Sequence, residues 1–318
     1  MSHHKKKKPP AFVKYGRPIV QIPYRYIHLI ATLTVIYHLC TLGFLIELIN
    51  VAHHFKAHIG DYLNIIVENG YVMVYVLYIS SILGIIMNIF IAVVAFKLVS
   101  HVGKLFYWLL FVSVLLAVVM MIFILGLIFY MFSYAFSRNP EGMDFFYTSM
   151  SNYSTDGLTK TRLDIMQIEL QCCGARNYTD WYAVNWYDTN FVKLNSMNIK
   201  LVGEVPFSCC NIRTIFPCIH HGIESGINDY KYDVLQNFSI NMDGCWSVME
   251  RRKTKSGLSV AGYLFGQLVL LIIGFIPLRL LQTASNEKRG FSLEGHTYTG
   301  WLWGFYVGGK RHTGDENQ

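Results

Sequence analysis

Cysteines are the residues of this chain best suited to chemistry, and six of the seven fall within residues 133–257. They form two adjacent pairs and two single residues, and neighbouring cysteines do not readily bridge each other because the small ring departs from relaxed disulfide geometry. Six cysteines allow about 15 pairings in general, and excluding bridges between neighbours leaves about ten. We therefore expect disulfides that staple this stretch together. Its motif residues are Cys172, Cys173, Gly174, Pro206, Ser208, Cys209, Cys210, Cys218 and Cys245.

The same stretch carries the three N-glycosylation sequons of the chain, at Asn152, Asn177 and Asn237. A sequon that is used lies on the surface of a secreted or lumenal segment, and clustered cysteines likewise indicate an oxidising compartment. Residues 133–257 are therefore predicted to lie outside the cytosol. The seventh cysteine, Cys40, falls in an apolar segment, where we expect it to pack as a small hydrophobe.

Hydrophobic residues make up 53% of the 318-residue chain, and they concentrate in four segments, 27–49, 71–97, 105–132 and 258–281. Each segment supplies the ~20 mainly apolar residues that a bilayer-spanning helix requires. A buried helix of that length in a soluble protein would be unusual without a polar face. The sequence predicts an all-α membrane protein with four transmembrane helices and a disulfide-stapled, mainly helical large loop.

The remaining segments are assigned from these spans and from charge. Lys and Arg cluster in the first 25 residues, around the second connection and in the tail, which places both termini in the cytosol. The predicted order is a basic arm 1–26, a small external loop 50–70, a cytosolic loop 98–104, the large external or lumenal loop 133–257 and a cytosolic tail 282–318. We expect the arm to be disordered and its lysines to face anionic lipid.

The formal net charge of +7 belongs to these cytosolic ends, because basic and acidic residues nearly balance within the large loop. A charge distributed in this way indicates a membrane-surface partner and gives no support to nucleic-acid binding. No small-residue cleavage site follows the first apolar segment, so we expect no cleavable signal peptide.

The sequence shows no catalytic or metal-ligating pattern. His54 and His58 stand four residues apart, but no nearby cysteine or carboxylate completes a zinc site. Ser-His-Asp sets, His-Glu-x-x-His, glycine-rich phosphate loops and Cys-x-x-Cys pairs are missing. We therefore predict a non-enzymatic protein with no catalytic residue, no metal and no cofactor.

Small and polar residues recur every four positions along the second apolar segment. Helices in lipid are held together by close backbone approach and hydrogen bonds, so this stripe predicts a packing face, and Gly262 with Gly266 predicts another in the fourth segment. His38, Gln267 and one member of the stripe, Asn88, are polar at membrane depth. We interpret them as hydrogen-bond partners between helices rather than as a conduction path. The stripe consists of Ser80, Gly84, Asn88 and Ala92.

Within the large loop, apolar residues between positions 148 and 171 recur partly at helical spacing. We interpret them as a helical stalk that continues the third transmembrane helix, with Gly174 suited to the C-cap. A return helix is expected to run through Trp246 into the fourth span. Two helix ends are also predicted: the first transmembrane helix ends near Glu47, and Pro277 kinks or ends the fourth.

The tail combines aromatic side chains with Lys310 and Arg311, a composition found at the headgroup boundary of a membrane. Four glycines oppose a stable helix in this region. We predict insertion at the membrane interface, and the alternative is a disordered tail that binds a partner. The membrane-interface residues are Trp301, Trp303, Phe305 and Tyr306.

Taken together, four predicted spans, a small and then a large external loop, and Cys-Cys-Gly answered by Pro-x-Ser-Cys and by Cys245 resemble the tetraspanin family. The stretches 206–211, 230–233 and 279–283 look most like its photoreceptor disc-rim subgroup, which includes peripherin. The resemblance implies three bridges, Cys172 to Cys245, Cys173 to Cys209 and Cys210 to Cys218.

Disc-rim relatives carry an additional unpaired cysteine in the large loop, which links dimers covalently. Gly157 occupies that position here. We therefore expect non-covalent dimers, or higher non-covalent oligomers, rather than covalent chains of dimers.

From this resemblance we expect a membrane organiser that self-associates through its large loop and shapes curved membrane such as a photoreceptor disc rim. Its expected partners are membrane lipids, a second copy of the chain, receptors and other family members, in the plasma membrane or a specialised compartment. One alternative is an escort protein that binds a receptor, or holds a sterol or lipid between its helices. A four-helix channel or junction protein is a remoter alternative, because such junction proteins carry their cysteines in the first external loop.

Overall fold

A computed structural model of the chain describes residues 11–14, 17–57, 71–100, 104–137, 141–187, 203–221, 223, 239–286 and 297–302. The chain divides into two compact units. The first unit comprises Met1–Leu48, Ile79–Gly126 and Leu264–Gln318, and the second comprises Ile49–Tyr78 and Leu127–Tyr263. The finer domain boundaries given above stay predictions.

The regular elements of the described residues are mainly α-helices. In chain order they are β1 (Ala11–Lys14), β2 (Arg17–Pro23), α1 (Tyr24–Phe55), α2 (Val72–Ser100), α3 (Lys104–Phe136), α4 (Glu141–Ser151), α5 (Gly157–Leu170), α6 (Cys245–Asn286) and β3 (Thr297–Trp301). Two short 3-10 helices, Tyr178–Ala183 and Phe207–Cys209, lie between α5 and α6.

Four of the described helices, α1, α2, α3 and α6, are long and apolar enough to cross a membrane. Large apolar side chains such as Leu33, Ile86 and Phe129 are exposed on their outer faces. Such faces suit contact with lipid tails, which are as apolar as the side chains themselves. The mainly helical, four-span membrane fold predicted from the sequence is confirmed.

The first helix ends later than predicted, and Pro277 does not end the fourth. Helix α1 extends to Phe55, beyond the end expected near Glu47, and α6 continues through Pro277 to Asn286. A proline removes one backbone N–H from the helix, but membrane helices tolerate this where neighbouring groups satisfy the freed carbonyl. As expected, the return helix of the large loop and the fourth span form one helix, α6.

A three-stranded antiparallel sheet in the first unit corrects the expectation that the whole N-terminal arm is disordered. Strand β2 is central, pairing with β1 on one side and with β3 on the other. Val20 stands opposite Gly300, and Ile22 stands opposite Tyr298. The arm is therefore ordered over both strands rather than disordered, and the beginning of the tail is a strand. Residues 1–10 lie outside the described part of the chain.

The sheet is anchored on the end of α6. Ile22 and Tyr298 are almost fully buried, and the backbone N–H of Trp301 donates to Thr283 Oγ1 at 3.1 Å. Burial of two large side chains offsets part of the entropy that the two chain ends lose on ordering. The β-branched residues Ile19, Val20 and Ile22 could have indicated a strand, but the basic residues before them favoured disorder.

Polar side chains join the helices of the first unit. His38 Nδ1 of α1 donates to Asn88 Oδ1 of α2 at 2.6 Å, since an amide carbonyl oxygen only accepts. Gln267 Nε2 of α6 donates to the backbone oxygen of Ser80 at 3.1 Å. The hydroxyl of Tyr37 donates to the backbone oxygen of Leu270 at 2.6 Å. These groups are interhelical hydrogen-bond partners, as the sequence indicates.

The small-residue stripe of α2 faces the interior of the first unit. Ser80, Asn88 and Ala92 are buried. A Cβ at Gly84 would lie 3.0 Å from Gln267 Nε2 and 3.1 Å from Leu45 Cδ1. Glycine at this position therefore lets α2 approach its neighbours closely, as helix packing in lipid requires.

Two residues expected to pack against other parts of the chain are exposed instead. No described atom lies within 4 Å of the position that a Cβ of Gly262 would occupy, whereas one at Gly266 would lie 3.6 Å from Phe44. Gly262 falls on the outer side of α6, because the helical repeat turns Ala261 and Leu264 inward. Cys40 is likewise exposed, on the outer side of α1, and is not a packed core residue.

Replacing Gly84 by valine is expected to destabilise the protein by about 1–3 kcal/mol, because the added atoms overlap Gln267 and Leu45. The matched control is Gly262→Val, which should stay within about 0.5 kcal/mol of the natural protein. Thermal unfolding in detergent would measure both variants. Equal destabilisation by the two valines would contradict the packing contact at Gly84.

Candidate functional site

Three disulfides join the six cysteines of the large loop. The bonds are Cys172 to Cys245, Cys173 to Cys209 and Cys210 to Cys218, with Cα–Cα distances of 4.9, 5.0 and 5.7 Å. These are the pairs that the family resemblance implies. The first bond ties the end of α5 to the first residue of α6, and the other two hold the segment around the Phe207–Cys209 turn to it.

The Cys-Cys-Gly motif lets two backbone segments meet at the first bond. The N–H of Cys173 donates to the oxygen of Asp243 at 2.9 Å, and the N–H of Cys245 donates to the oxygen of Gly174 at 2.9 Å. Gly174 has a φ of 67°, and a Cβ on it would lie 2.0 Å from the oxygen of Asn177. Only glycine adopts this conformation so readily without overlap.

Gly174 is not the C-cap of α5, which corrects the expectation from the sequence. Gln171 occupies the cap position in the left-handed region, with a φ of 53°. The helix thus ends one residue before the cysteine pair. Gly174 instead makes the turn that follows the pair, where its lack of a Cβ is needed.

The expected continuous stalk is also wrong, because it is interrupted twice. Helix α3 ends at Phe136, α4 spans Glu141–Ser151, and α5 starts separately at Gly157. The carboxylate of Asp156 caps α5 by accepting from the N–H groups of Leu158 and Thr159. A hydrogen bond from the Thr159 hydroxyl, followed by the Leu158 N–H, lowers the pKa of Asp156. The carboxylate therefore stays charged at the positive helix end.

The serine of the Pro-x-Ser-Cys motif fixes the Phe207–Cys209 turn to α5. Ser208 Oγ donates to Gln167 Oε1 at 2.7 Å, and both side chains are buried. Gln167 was not singled out from the sequence. Its position in an otherwise apolar face of α5 was the available signal, since a buried amide requires a hydrogen-bond partner.

Aromatic side chains form the core of the loop around Trp181, which is fully buried. Its ring centroid lies 5.2 Å from that of Tyr153 and 6.4 Å from that of Trp186. The hydroxyl of Tyr153 donates to Asp164 Oδ1 at 2.7 Å. Burial, with the hydrogen bond to Asp164, raises the pKa of Tyr153 far above its ordinary value, so this phenol stays neutral and keeps donating.

Two of the three sequons can be located. Asn152 and Asn177 are both exposed. Asn177 Oδ1 accepts from the N–H of Thr179 at 2.9 Å, and this side chain caps the 3-10 helix that holds Trp181. Asn237 lies outside the described residues.

The loop also exposes three large apolar side chains within residues 207–215, which the sequence did not single out and which are here called the apolar patch. It consists of Phe207, Ile212 and Ile215, with 69%, 71% and 95% of each residue exposed. The bond between Cys210 and Cys218 closes the segment that carries Ile212 and Ile215. The ring of Phe207 lies edge-on to His220 at 5.7 Å, and burial lowers the pKa of His220. A neutral imidazole at His220 adds no charge beside Phe207.

The tail and histidine residues singled out from the sequence lie partly or wholly outside the described residues. Trp301 is half-buried in β3, and Trp303, Phe305 and Tyr306 lie outside the described residues, as does His58. The described part of the chain holds no group of three His, Cys, Asp or Glu residues that could bind a metal.

A small cavity lies between helices of the first unit, where a bound sterol or lipid was one of the expectations from the sequence. It has a volume of about 20 Å³ and is lined by residues that include His38 and Gln267. This is room for about one water molecule. A sterol or lipid between helices stays a prediction, and it would need a larger site than this cavity.

Comparison with known proteins identifies a family that shares this arrangement. The family model described as the tetraspanin family matches residues 28–281. Photoreceptor outer segment membrane glycoprotein 2 of Gallus gallus is 30% identical over 158 residues, which cover 45% of this chain and 43% of that relative. Peripherin-2 of Xenopus laevis is 28% identical over 136 residues, or 39% of each chain. Peripherin-2 of Felis catus is 30% identical over 145 residues, or 39% of this chain and 40% of that one.

Four membrane-spanning helices, with a disulfide-linked loop before the last of them, define an integral membrane protein of the four-span class. The family model covers most of this chain, and the protein belongs to the tetraspanin family. The matched segments span less than half the length of the relatives named above.

Removal of single disulfides is expected to destabilise the loop in a defined order. The bond from Cys172 to Cys245 closes a separation of 73 residues, and the bond from Cys210 to Cys218 closes one of 8. Loop-closure entropy gives about 4 kcal/mol for the first and about 2.5 kcal/mol for the second. Paired serine replacements, compared by urea unfolding under non-reducing conditions, would measure this. A larger loss from the short bridge would contradict the order.

Glycans are expected at Asn152 and Asn177, because both side chains are exposed on a loop predicted to lie outside the cytosol. Each of Asn152→Gln and Asn177→Gln should remove one glycan from the protein expressed in animal cells. Glycosidase treatment followed by gel electrophoresis would measure this, with Asn211→Gln as a control outside any sequon. An unchanged mobility in both variants would contradict the exposed placement.

Proposed function

We propose that the protein organises membrane by self-association through its large loop, and that the assembly stabilises curved membrane such as the rim of a photoreceptor disc. The role is structural rather than catalytic. The observation that carries the proposal is the apolar patch, which is exposed on a part of the loop held in place by a disulfide.

Exposed apolar side chains of this size favour a protein contact. Contiguous exposed apolar surface often marks an interaction site in a folded protein. Because the disulfide from Cys210 to Cys218 already restricts the segment, little additional entropy is lost when a partner binds. A second copy of the loop offers an apolar patch of the same composition, so two loops can cover each other.

The named relatives direct the proposal toward curved membrane. One of them is described by name as a membrane glycoprotein of the photoreceptor outer segment. Two rigid loops that meet at an angle outside the bilayer would tilt the spans below them and so impose curvature by shape. Membrane lipids and other membrane proteins are the further partners in this proposal.

The association is proposed to be non-covalent. The six loop cysteines are all paired within the chain. Gly157, which stands where disc-rim relatives have an unpaired cysteine, is exposed at the start of α5, and no described atom lies within 4 Å of the position of its Cβ. The loop thus presents no thiol for a bridge between copies at this point.

The variant Ile215→Asp is expected to weaken dimers by at least about 30-fold, since a buried carboxylate opposes an apolar contact of hot-spot size. Size-exclusion chromatography with light scattering in mild detergent would measure this. Phe145→Asp is the matched control, because Phe145 is 48% exposed on α4, a different helix of the same loop. Non-reducing gels should show monomers in every case.

Two outcomes would contradict the proposal. A covalent ladder on non-reducing gels would show that association needs thiols. A strict monomer in mild detergent would favour the escort alternative, in which the patch contacts a receptor.

A further inference from the structure

A second feature of the large loop is a wide groove on its surface. The groove has a volume of about 650 Å³. It is bordered by the end of α5, by two segments near the disulfides and by the first turns of α6. Its lining residues with charge are Arg213, Asp243, Arg251, Arg252 and Lys255.

Positive charge predominates in this groove. Arg251 Nη2 lies 3.7 Å from Asp243 Oδ2, and both side chains are largely exposed. Exposed pairs at such a distance contribute little to stability, so Asp243 offsets one cation without engaging it firmly. The side chains of Arg213, Arg252 and Lys255 form no ion pair or hydrogen bond with any described residue.

A neighbouring lysine, Lys253, has hydrogen-bond partners within the protein, unlike the three cations named above. Lys253 Nζ donates to the backbone oxygen of Ser137 at 2.8 Å and contacts Ser137 Oγ at 3.0 Å. It also lies 4.8 Å from the ring centre of Tyr134. Within the run 251–255, Lys253 turns inward to the end of α3, and the other three cations line the groove.

Along the chain, the α6 residues of the groove directly precede the predicted start of the fourth span. Lys255 precedes Leu258, the first residue of the fourth apolar segment, by three positions, and Arg252 precedes it by six. At about 1.5 Å per residue, these side chains start about 5 and about 9 Å from the hydrocarbon edge along α6. The headgroup layer occupies about 5–8 Å on each side of the hydrocarbon. The cations therefore start within or just outside the headgroup layer.

The charge, the apolar lining and the position of the groove indicate the chemistry of its ligand. Guanidinium groups bind phosphate through paired hydrogen bonds, and an ammonium adds a point charge. The groove is also lined by the apolar residues Leu170, Ile240, Met242 and Val248, which a free inorganic anion would not use. Basic residues directly beside a span are moreover the reverse of the usual bias on the non-cytosolic side.

We propose that this groove binds the phosphate group of an anionic phospholipid in the non-cytosolic leaflet. Arg213, Arg252 and Lys255 contact the phosphate, and the apolar lining contacts the glycerol and the first acyl carbons. The lipid would fix the base of the loop against the bilayer surface. The residues changed in the test, Arg252 and Lys255, lie on α6 and outside the patch segment. Failure of the lipid site can therefore be told apart from failure of self-association.

The test uses the full-length protein in detergent, titrated with phosphatidylserine and with phosphatidylcholine and followed by native mass spectrometry. Arg252→Gln with Lys255→Gln is expected to weaken phosphatidylserine binding by about 30-fold, at about fivefold per cation. Lys160→Gln with Arg162→Gln is the matched control, because it removes one lysine and one arginine from α5 outside the groove. This control should bind phosphatidylserine as the natural protein does.

Two further measurements separate the lipid from other sources of the same chemistry. A photoreactive phosphatidylserine in nanodiscs of the natural protein should label the peptide that contains Met242. This measurement needs no variant. Glycerophosphoserine and inorganic phosphate should bind far more weakly than the lipid. Equal lipid binding by the two double variants, labelling that is absent from this peptide, or soluble phosphate binding as tight as the lipid would each overturn the proposal.

Discussion

The covalent link between Cys172 and Cys245 is the constraint on which the large loop depends. It joins the end of α5 to the start of α6 and brings two backbone segments close enough for the hydrogen bonds of Cys173 and Gly174. Gly244 takes part in this approach, since a Cβ on it would lie 2.1 Å from the oxygen of Arg176. The remaining disulfides then attach the 203–221 region to this junction. The basic groove takes its lining from both sides of this junction.

The large features of the fold could be predicted because each depends on many residues at once. Four apolar segments, the clustered cysteines and the distribution of charge all support the same topology, and the structure agrees in its helices and its disulfides. The disulfide partners themselves came from the family resemblance, because spacing left about ten pairings open.

Features that depend on the surroundings of one residue were harder to predict. Whether Gly262 faces a helix or lipid depends on how α6 is rotated, which composition does not reveal. Gly174 was a reasonable C-cap by type, but the backbone of Gln171 takes that role. The basic groove combines residues from separate segments, so no local pattern indicated it. The apolar patch lies within residues 207–215, but which of these side chains stay exposed depends on the fold. Gln167 became informative only when Ser208 was seen beside it.

The pairing of β2 with β3 joins residues near opposite ends of the sequence, such as Ile19 and Trp301. A ribosome makes β2 before any of the four spans and β3 after all of them. The central strand must therefore wait, with one edge unpaired, while every helix is inserted into the bilayer. The sheet can therefore close only after synthesis has passed the last span. A polypeptide released early would keep an unpaired strand edge, which can pair with another chain.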